Sequence, residues 1–367
     1  MAEVVFILGA GASADAGAPV MAKFLNVAED LLFQKQVGPD GDHFRRVFEA
    51  LGQLKLAQAQ FILDADNLEE AFCAFEMARV CGGFGDIDGE RATAVRQSMT
   101  HLIARTIEET FKFTLDEGGP AATRSYQDFV KMVIWELSKP GTTKITHGWP
   151  AILTMNYDMG IEVALHHESM PLDYCLNSSA QPNPNAIKIL KLHGSLNWAK
   201  CSSCGQASSY DYEQMRREYQ FVAPPIRDKD VHRVSLNISD KLRGNCRWCG
   251  QALIPSPLIV PPTWSKTEDP SVLNVWQQAA RELREARYLV FIGYSFPATD
   301  TYFKYLLALG LSGASRLRSV LVVDPTDQAI ARLRTWASPN LAPKIHPLKG
   351  DFANAIRKIV GSMENGP

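Results

Sequence analysis

The sequence predicts an α/β fold: a Rossmann-like parallel sheet with a large helical insertion and a small four-cysteine zinc-ribbon module. Three observations predict it. Apolar runs of strand length, such as "VVFIL" (4–8) and "SVLVVDP" (319–325), alternate with helical segments. Nearly unbroken apolar strands of this kind belong to a parallel sheet covered on both faces. The first run passes directly into a glycine-rich turn, "GAGASADAGAP" (9–19), and two Cys-x-x-Cys pairs interrupt the second half of the chain.

Each element follows from its pattern. Residues 4–8 form a buried strand, and Ser13 to about Gln36 a turn and helix. "HFRRVFEALGQL" sets Phe44, Val47, Phe48 and Leu51 at helical spacing, and "DNLEEAFCAFEMA" does so with Leu68, Phe72 and Phe75. Asp66 or Asn67 caps that second helix, with Glu69 and Glu70 in its first turn. Residues 91–115 and 122–137 read as further helices, so 20–140 forms a largely helical insertion with one glycine-rich loop, "GGFGDIDG" (82–89). Strands are then expected at "PAILTMNYD" (150–158), "AIKILKLHGSLNW" (186–198), "RYLVFIGYSF" (287–296) and 319–325, with helices at 271–286 and 302–310. "ALIPSPLIVPP" is proline-rich, and there is no internal repeat.

The chain has 367 residues, 46% hydrophobic and 21% charged, with a net charge of −2. That balance gives no global field for nucleic acid or an anionic membrane. No apolar run reaches the roughly 20 residues of a membrane span. The apolar start lacks a basic flank and is broken by Gly9 and Gly11, unlike a signal peptide. A cytoplasmic protein is expected, without direct nucleic-acid or membrane binding. Seven cysteines, four of them in paired knuckles, argue for metal over disulfides in that compartment.

Polar residues mark the carboxyl ends of the expected strands: Gly9–Ser13, Thr154–Asp158, His193–Ser195, Gly293–Ser295 and Asp324. Ligands of open parallel sheets bind at those ends, which argues for one shared site. The glycines of Gly9-Ala10-Gly11-Ala12-Ser13 would let backbone approach a pyrophosphate, with N–H groups of the following helix facing it. A hydride-transfer fingerprint also needs an acid ending a second strand about 20 residues on. Glu29 and Asp30 stand at that distance but inside a helical pattern. Asn156 and Asp158 serve equally as turn caps, His193 as a structural histidine, and Asp324 as a turn residue before Pro325. Cys201, Cys204, Cys246 and Cys249 form two knuckles, each followed by glycine, a pattern that ligates zinc in a closed structural site. The bland alternative is four free thiols. The stretch 205–245 between them is longer than in a simple ribbon.

With these motifs in order, the sequence resembles the sirtuin family. The family's Gly-Ala-Gly-x-Ser-x-x-x-Gly-Ile-Pro loop stands here as "GAGASADAGAP", with Gly17 and Pro19 in register. Its Gln-Asn-Ile-Asp is Met155-Asn156-Tyr157-Asp158, its His-Gly is His193-Gly194, and its Gly-Thr-Ser is Gly293-Tyr294-Ser295. The resemblance implies one sirtuin-like domain over 1–367. Its core would comprise 1–19, 141–198 and 253–367, with the insertion 20–140 and a zinc module at 199–252 carrying loop 205–245. Sirtuin deacylases follow the proline with Asp-Phe-Arg, where this chain has Val20-Met21-Ala22. The "NYD" and "GYS" forms and the helical insertion look like the bacterial sirtuin-like proteins that hydrolyse NAD, a branch tied to antiphage defence by abortive infection.

That resemblance implies an NAD glycohydrolase releasing nicotinamide and ADP-ribose. The alternatives are an NAD-dependent lysine deacylase and a non-catalytic nucleotide sensor. Asn156 would hold the ribose and orient water, Asp158 would accept from the carboxamide, and His193 would act as general base. The loop Gly9, Ala10, Gly11, Ser13, with Gly17, Pro19 and Thr154 around it, would hold the pyrophosphate side. Ser295 and Gly293 would hold phosphate or adenosine ribose, Asp324 the adenosine ribose, and "GDF" (350–352) the adenine. NAD would be the substrate and one zinc structural. The missing aromatic after Pro19 tilts the acceptor toward water. Gating by a homo-oligomer or a separate partner, such as an ATPase, is expected, because unrestrained NAD loss would kill the host.

Overall fold

The computed structural model describes residues 2–57, 63–116, 119–139, 148–177, 183–210, 212–213, 233–236, 238, 242, 244–260, 269–313 and 316–365. Most of loop 205–245 and the expected insertion boundary at 140/141 lie outside the described residues.

The chain enters through strand β1 (Val4–Leu8) and a 3-10 segment (Ala10–Ala16). Helices α1 (Phe24–Phe33), α2 (Gly41–Ala57) and α3 (Leu68–Cys81) follow. The hairpin β2 (Gly83–Phe84) and β3 (Ile87–Asp88) leads into α4 (Gly89–Thr110). Strands β4 (Phe113–Asp116) and β5 (Gly119–Ala121) precede α5 (Arg124–Phe129), a π-helical turn (Val130–Ile134) and α6 (Trp135–Ser138). Next come β6 (Ala151–Thr154), α7 (Gly160–His167), β7 (Leu172–Asp173), β8 (Ile187–Lys191) and β9 (Gly194–Cys201). The cysteine region holds β10 (Ala207–Ser209), β11 (Arg233–Val234) and β12 (Leu253–Ile259). The chain ends with α8 (Pro270–Glu285), β13 (Tyr288–Ile292), α9 (Thr301–Gly310), β14 (Ser319–Asp324), α10 (Gln328–Trp336), β15 (Ile345–Lys349) and α11 (Phe352–Asn365).

Seven strands form one parallel sheet in the order β15-β14-β13-β1-β6-β8-β7. Every residue of β1, β6 and β13 is buried, as the unbroken apolar runs require. The strand order reverses between β1 and β13, which makes the crevice at their carboxyl ends the switch point of the sheet. On one face α5 and the π turn pack beneath β1, with Phe6 and Phe129 edge to face at 5.0 Å. Phe352 of α11 closes that layer against Phe129 at 5.4 Å and Tyr126 at 5.5 Å. Asn67, not Asp66, caps α3, accepting from the N–H groups of Glu69 and Glu70.

Three expectations change. The expected strand 186–198 is two strands in different sheets, because Gly194 adopts φ +84° and turns the chain out of the parallel sheet. The expected helix 91–115 stops at Thr110. Phe111 and Phe113 alternate inward instead, and β4 pairs antiparallel with β11 from the cysteine region. The glycine-rich loop at 82–89 is the β2–β3 hairpin, with Gly82, Gly83 and Gly85 all at positive φ. The proline-rich stretch forms β12, whose register slips beside Pro257, where a missing N–H is tolerated. Among the described residues, no helix is long and apolar enough to cross a membrane.

Candidate functional site

A cavity of about 370 Å³ lies over the carboxyl ends of the sheet. Ala10, Gly11, Ser13, Pro19, Asn156, Asp158, His193, Gly293, Ser295 and Asp324 all line it, as do Gly350, Asp351 and Phe352. The lining residues follow six successive strands, from β15 to β8. Five inter-strand steps of about 4.8 Å span about 24 Å, the reach of an elongated ligand. Gly9, Gly17 and Thr154 do not line it, although each adjoins a lining residue in the chain, Ala10, Ala18 and Met155 respectively. Thr154 Oγ1 donates to Leu8 O at 3.2 Å and accepts from Asn156 N at 3.0 Å, which ties the β6 exit to β1.

Ser13 is the hub of the site. Its hydroxyl donates to Asp158 Oδ2 at 2.7 Å and accepts from Asn156 Nδ2 at 2.9 Å. The Tyr126 hydroxyl lies 2.8 Å away and completes its tetrahedral set as the second donor. Asn156 Nδ2 also donates to Gly9 O at 3.0 Å, and Asp158 Oδ1 accepts from Gly160 N at 2.8 Å at the start of α7. Burial, then the Asp158 charge, pushes the Tyr126 phenol well above its ordinary range, so it stays a donor. Tyr126 comes from α5 and is fully buried. Nothing in the sequence except an aromatic on a helical face marked it.

The glycines have a second, structural reason. Gly9 N donates to Ile292 O at 3.0 Å and Gly11 N to Gly293 O at 2.9 Å. A Cβ on Gly11 would stand 2.8 Å from Gly293 Cα, and one on Gly293 (φ +62°) 2.4 Å from Ala12 N. The β1 and β13 exit loops therefore touch backbone to backbone at the switch point. Gly17 (φ +97°) ends the 3-10 segment where a Cβ would meet Thr110 O at 2.5 Å. Gly194 lets β12 close in, since its Cβ would lie 2.0 Å from Leu258 O.

His193 is buried at the cavity wall, its ring 6.2 Å from that of Tyr157. Lys191, two residues earlier, is fully buried and points beneath the Asn156–Asp158 turn. Its ammonium donates to Glu162 Oε1 at 2.8 Å, to Tyr157 O at 3.4 Å and to Asp158 O. Burial pushes the Glu162 carboxyl up and Lys191 opposes it. The pair clamps the turn from below, and breaking it would strand a buried charge at a cost of about 3–5 kcal/mol. Asp324 Oδ1 accepts from Thr326 N and Oγ1 at 2.8 Å each, so the residue forms the anticipated turn while also lining the cavity.

Helices between β1 and β6 also reach the cavity. Phe24, Glu69 and Ile107 line it from α1, α3 and α4. Phe24 brings an aromatic ring to the wall, although none stands at positions 20–22. Glu69 is 6% exposed and accepts from the Thr299 hydroxyl. Asp300 beside it accepts from Tyr294 Oη at 2.8 Å and caps α9 through Phe303 N. The phenols of Tyr157 and Tyr294 are pushed up by burial first, then by the charges of Asp300 and Glu69. As a helix-turn acid, Glu69 looked like ordinary capping chemistry.

The four cysteines converge. The sulfurs of Cys201 and Cys249 are 3.5 Å apart and those of Cys204 and Cys246 3.7 Å, and all four lie within 4.8 Å of one another. A tetrahedron with Zn–S of about 2.3 Å has sulfur edges of about 3.8 Å, so the four are positioned to bind a zinc ion. The knuckles share one backbone plan. Cys201 N donates to Gln206 O and Cys246 N to Gln251 O, while Gly205 N and Gly250 N return to the cysteine carbonyls. N–H groups of Ser203 and Trp248 point at Cys201 Sγ and Cys246 Sγ at 3.4 Å, as suits thiolates. Four sulfur ligands leave no open position for chemistry.

Comparison with solved structures returns Sir2 homologues. A Sir2 homologue mutant in complex with ADP-ribose is 17% identical, covering 98% of this chain and 90% of its own, with TM-score 0.39. A Sir2 homologue in complex with NAD is 15% identical, covering 98% and 88%, with TM-score 0.39. No curated protein matches the chain. Residues 150–243, which carry Asn156, Asp158, His193 and the first cysteine pair, match the SIR2-like domain family.

Proposed function

We propose that the chain is an NAD hydrolase that cleaves the nicotinamide–ribose bond. One observation carries the reading: a single elongated cavity joins Asn156, Asp158 and His193 to Ala10–Ser13, Gly293–Ser295 and Asp324. The match of residues 150–243 to the SIR2-like domain supports it. The nicotinamide end would lie over β6 and β8, and the adenosine end over β14 and β15.

The chemistry asks little of the protein. Nicotinamide leaves as a neutral group from a cationic ring, while positive charge develops on the ribose. The site must fix the sugar and place one nucleophile. Asn156, held by Ser13 and Thr154, would fix the ribose and the attacking water. His193 would take the water's proton, a general-base role to which an imidazole is suited. Asp158 would face the carboxamide. Phe24, Glu69 and Ile107 roof the cavity from the helices between β1 and β6, a wall that a water molecule passes more readily than a protein-borne lysine.

A deacylase is the second reading, favoured by Phe24, whose ring could shield the charged ribose until an acyl-lysine arrives. The products separate the two. Purified full-length protein should convert NAD to nicotinamide and ADP-ribose without peptide, and His193→Ala or Asn156→Ala should abolish it. O-acyl-ADP-ribose formed only with an acyl-lysine peptide would replace the hydrolase with the deacylase. Equal NAD loss by wild type and His193→Ala would overturn the mechanism. Restraint by self-assembly or a partner, in the setting of antiphage defence, belongs to the same proposal and predicts higher activity once the restraint is relieved.

A further inference from the structure

A second cavity, of about 560 Å³, is lined from α7, β10, the second cysteine knuckle and α8, and it shares no lining residue with the first. Its volume is in the range of small-molecule sites. Asn274, Gln278 and Arg281 line it from α8 at i, i+4 and i+7, so one face of that helix turns amides and a guanidinium toward it. Arg247 and Trp248 line it from the knuckle, between Cys246 and Cys249. Both arginines are exposed, and among the described residues each donates only to a neutral oxygen. Arg247 Nη2 reaches Ser209 O at 3.3 Å and Arg281 Nη1 reaches Gln278 Oε1 at 3.4 Å. Two guanidinium groups without a carboxylate partner therefore border one cavity.

The buried part of the lining is different. Glu162 and Ser208 are 1% and 6% exposed, and Glu162 Oε2 and Ser208 Oγ have no hydrogen-bond partner among the described residues. Buried polar atoms are normally paired, and a ligand edge that reaches these two would supply the partner. The rings of Tyr210 and Trp248 add flat apolar surface to the same lining, and Trp248 is 47% exposed.

We propose that this second cavity binds a nucleoside 5′-phosphate. Arg247 and Arg281 would take the phosphate, since the guanidinium fork matches its oxygens. The base would stack on the aromatic surface and turn its edge toward Glu162 and Ser208. A base edge carries both donors and acceptors, so it meets the Glu162 carboxyl in either protonation state. Inorganic phosphate would leave the buried atoms unmet, and a nucleoside would leave the arginines unmet. The NAD reading concerns the other cavity, and this site stands or falls without it.

Calorimetry on the purified full-length protein tests this with AMP, GMP, CMP and UMP, their nucleosides, and inorganic phosphate. At least one nucleotide should bind roughly tenfold or more tighter than its own nucleoside and than inorganic phosphate. Arg281→Ala, at an exposed helix position that alanine suits, should weaken that nucleotide roughly tenfold, and Arg247→Ala likewise. Trp248→Ala should weaken nucleotide and nucleoside alike. Asp324→Ala, at the wall of the first cavity, should leave the nucleotide within about twofold. Four nucleotides that bind no better than inorganic phosphate would overturn the proposal, a result that needs no variant to fold. So would an affinity that survives both arginine variants, and its loss in Asp324→Ala would then move the nucleotide to the first cavity.

Discussion

Ser13 and Asp158, 145 residues apart in the chain, are joined by a hydrogen bond of 2.7 Å that couples the β1 exit to the β6 exit. The same hydroxyl receives Asn156 and Tyr126. Ser13→Ala would leave two buried groups, Asp158 and Tyr126, and the half-buried Asn156 short of a partner, at about 1–3 kcal/mol. Thermal denaturation should show a lower Tm by several degrees. NAD turnover should fall further than that loss of folded protein explains, because Asn156 and Asp158 lose their common anchor. An unchanged Tm with unchanged turnover would dismiss the hub.

The backbone contact of Gly11 with Gly293 makes a graded prediction. Gly293→Ala places a Cβ 2.4 Å from Ala12 N in a left-handed conformation, so both overlap and strain apply. The expected cost is about 2–5 kcal/mol. Gly11→Ala should cost less, since its φ lies outside the left-handed region and only the clash at 2.8 Å remains. Gly52, inside α2 with open space around its Cβ position, is the control. Gly52→Ala should stabilise by about 0.5–1 kcal/mol through helix propensity. Urea denaturation of the three variants checks the ranking.

These contacts mark how far the sequence was legible. The central strands were readable because a strand buried on both faces must be apolar throughout, as Val4–Leu8 and Tyr288–Ile292 are. Polar residues at the ends of such runs were therefore conspicuous, and Asn156, Asp158, His193 and Asp324 do share one cavity. Residues that enter from helices were not readable. Tyr126 and Glu69 sit at positions where a helix would carry an aromatic or a capping acid anyway. Only the packing of α5 under β1 and of α3 against Thr299 turns them toward the site. The β4–β11 pair was hidden for a related reason. It joins residues about 120 apart, and its alternation in "FKFTLD" is too short to outweigh the helix before it.

The cysteine cluster predicts a stoichiometric metal. Elemental analysis should find about one zinc per chain, and a strong chelator should lower the Tm by several degrees as the knuckles open. Cys201→Ser and Cys246→Ser remove buried ligands and should both lose the ion. Turnover per folded molecule should persist at least in part after metal loss, since a four-sulfur site has no position for substrate. Absence of metal from protein purified without chelator would sink the assignment.

Acidification should loosen the packing of α2 on α4 before the sheet. The rings of His43 and His101 stack at 4.0 Å, with Asp40 3.2 Å from His101 Nδ1 and 2.8 Å from Arg105 Nε. Burial first, then the His101 charge, lowers the His43 imidazole below its usual value near 6.5, with Arg46 adding to this and Asp40 and Asp42 opposing it. A base depressed in the folded state binds fewer protons there than in the unfolded chain, so stability falls as pH drops below about 6.5. Asp40 acts later. Burial alone would raise it, but hydrogen bonds from His101 and Arg105 hold it below its usual 3.8, and that contribution is lost only as pH falls through its folded value. Because His43 keeps solvent contact, its share is under about 1 kcal/mol. His43→Gln can keep a bond to Ser98 and cannot titrate. Between about pH 7.5 and about pH 5.5 the Tm of wild type should therefore fall more than that of His43→Gln. Equal slopes would place the acid sensitivity elsewhere.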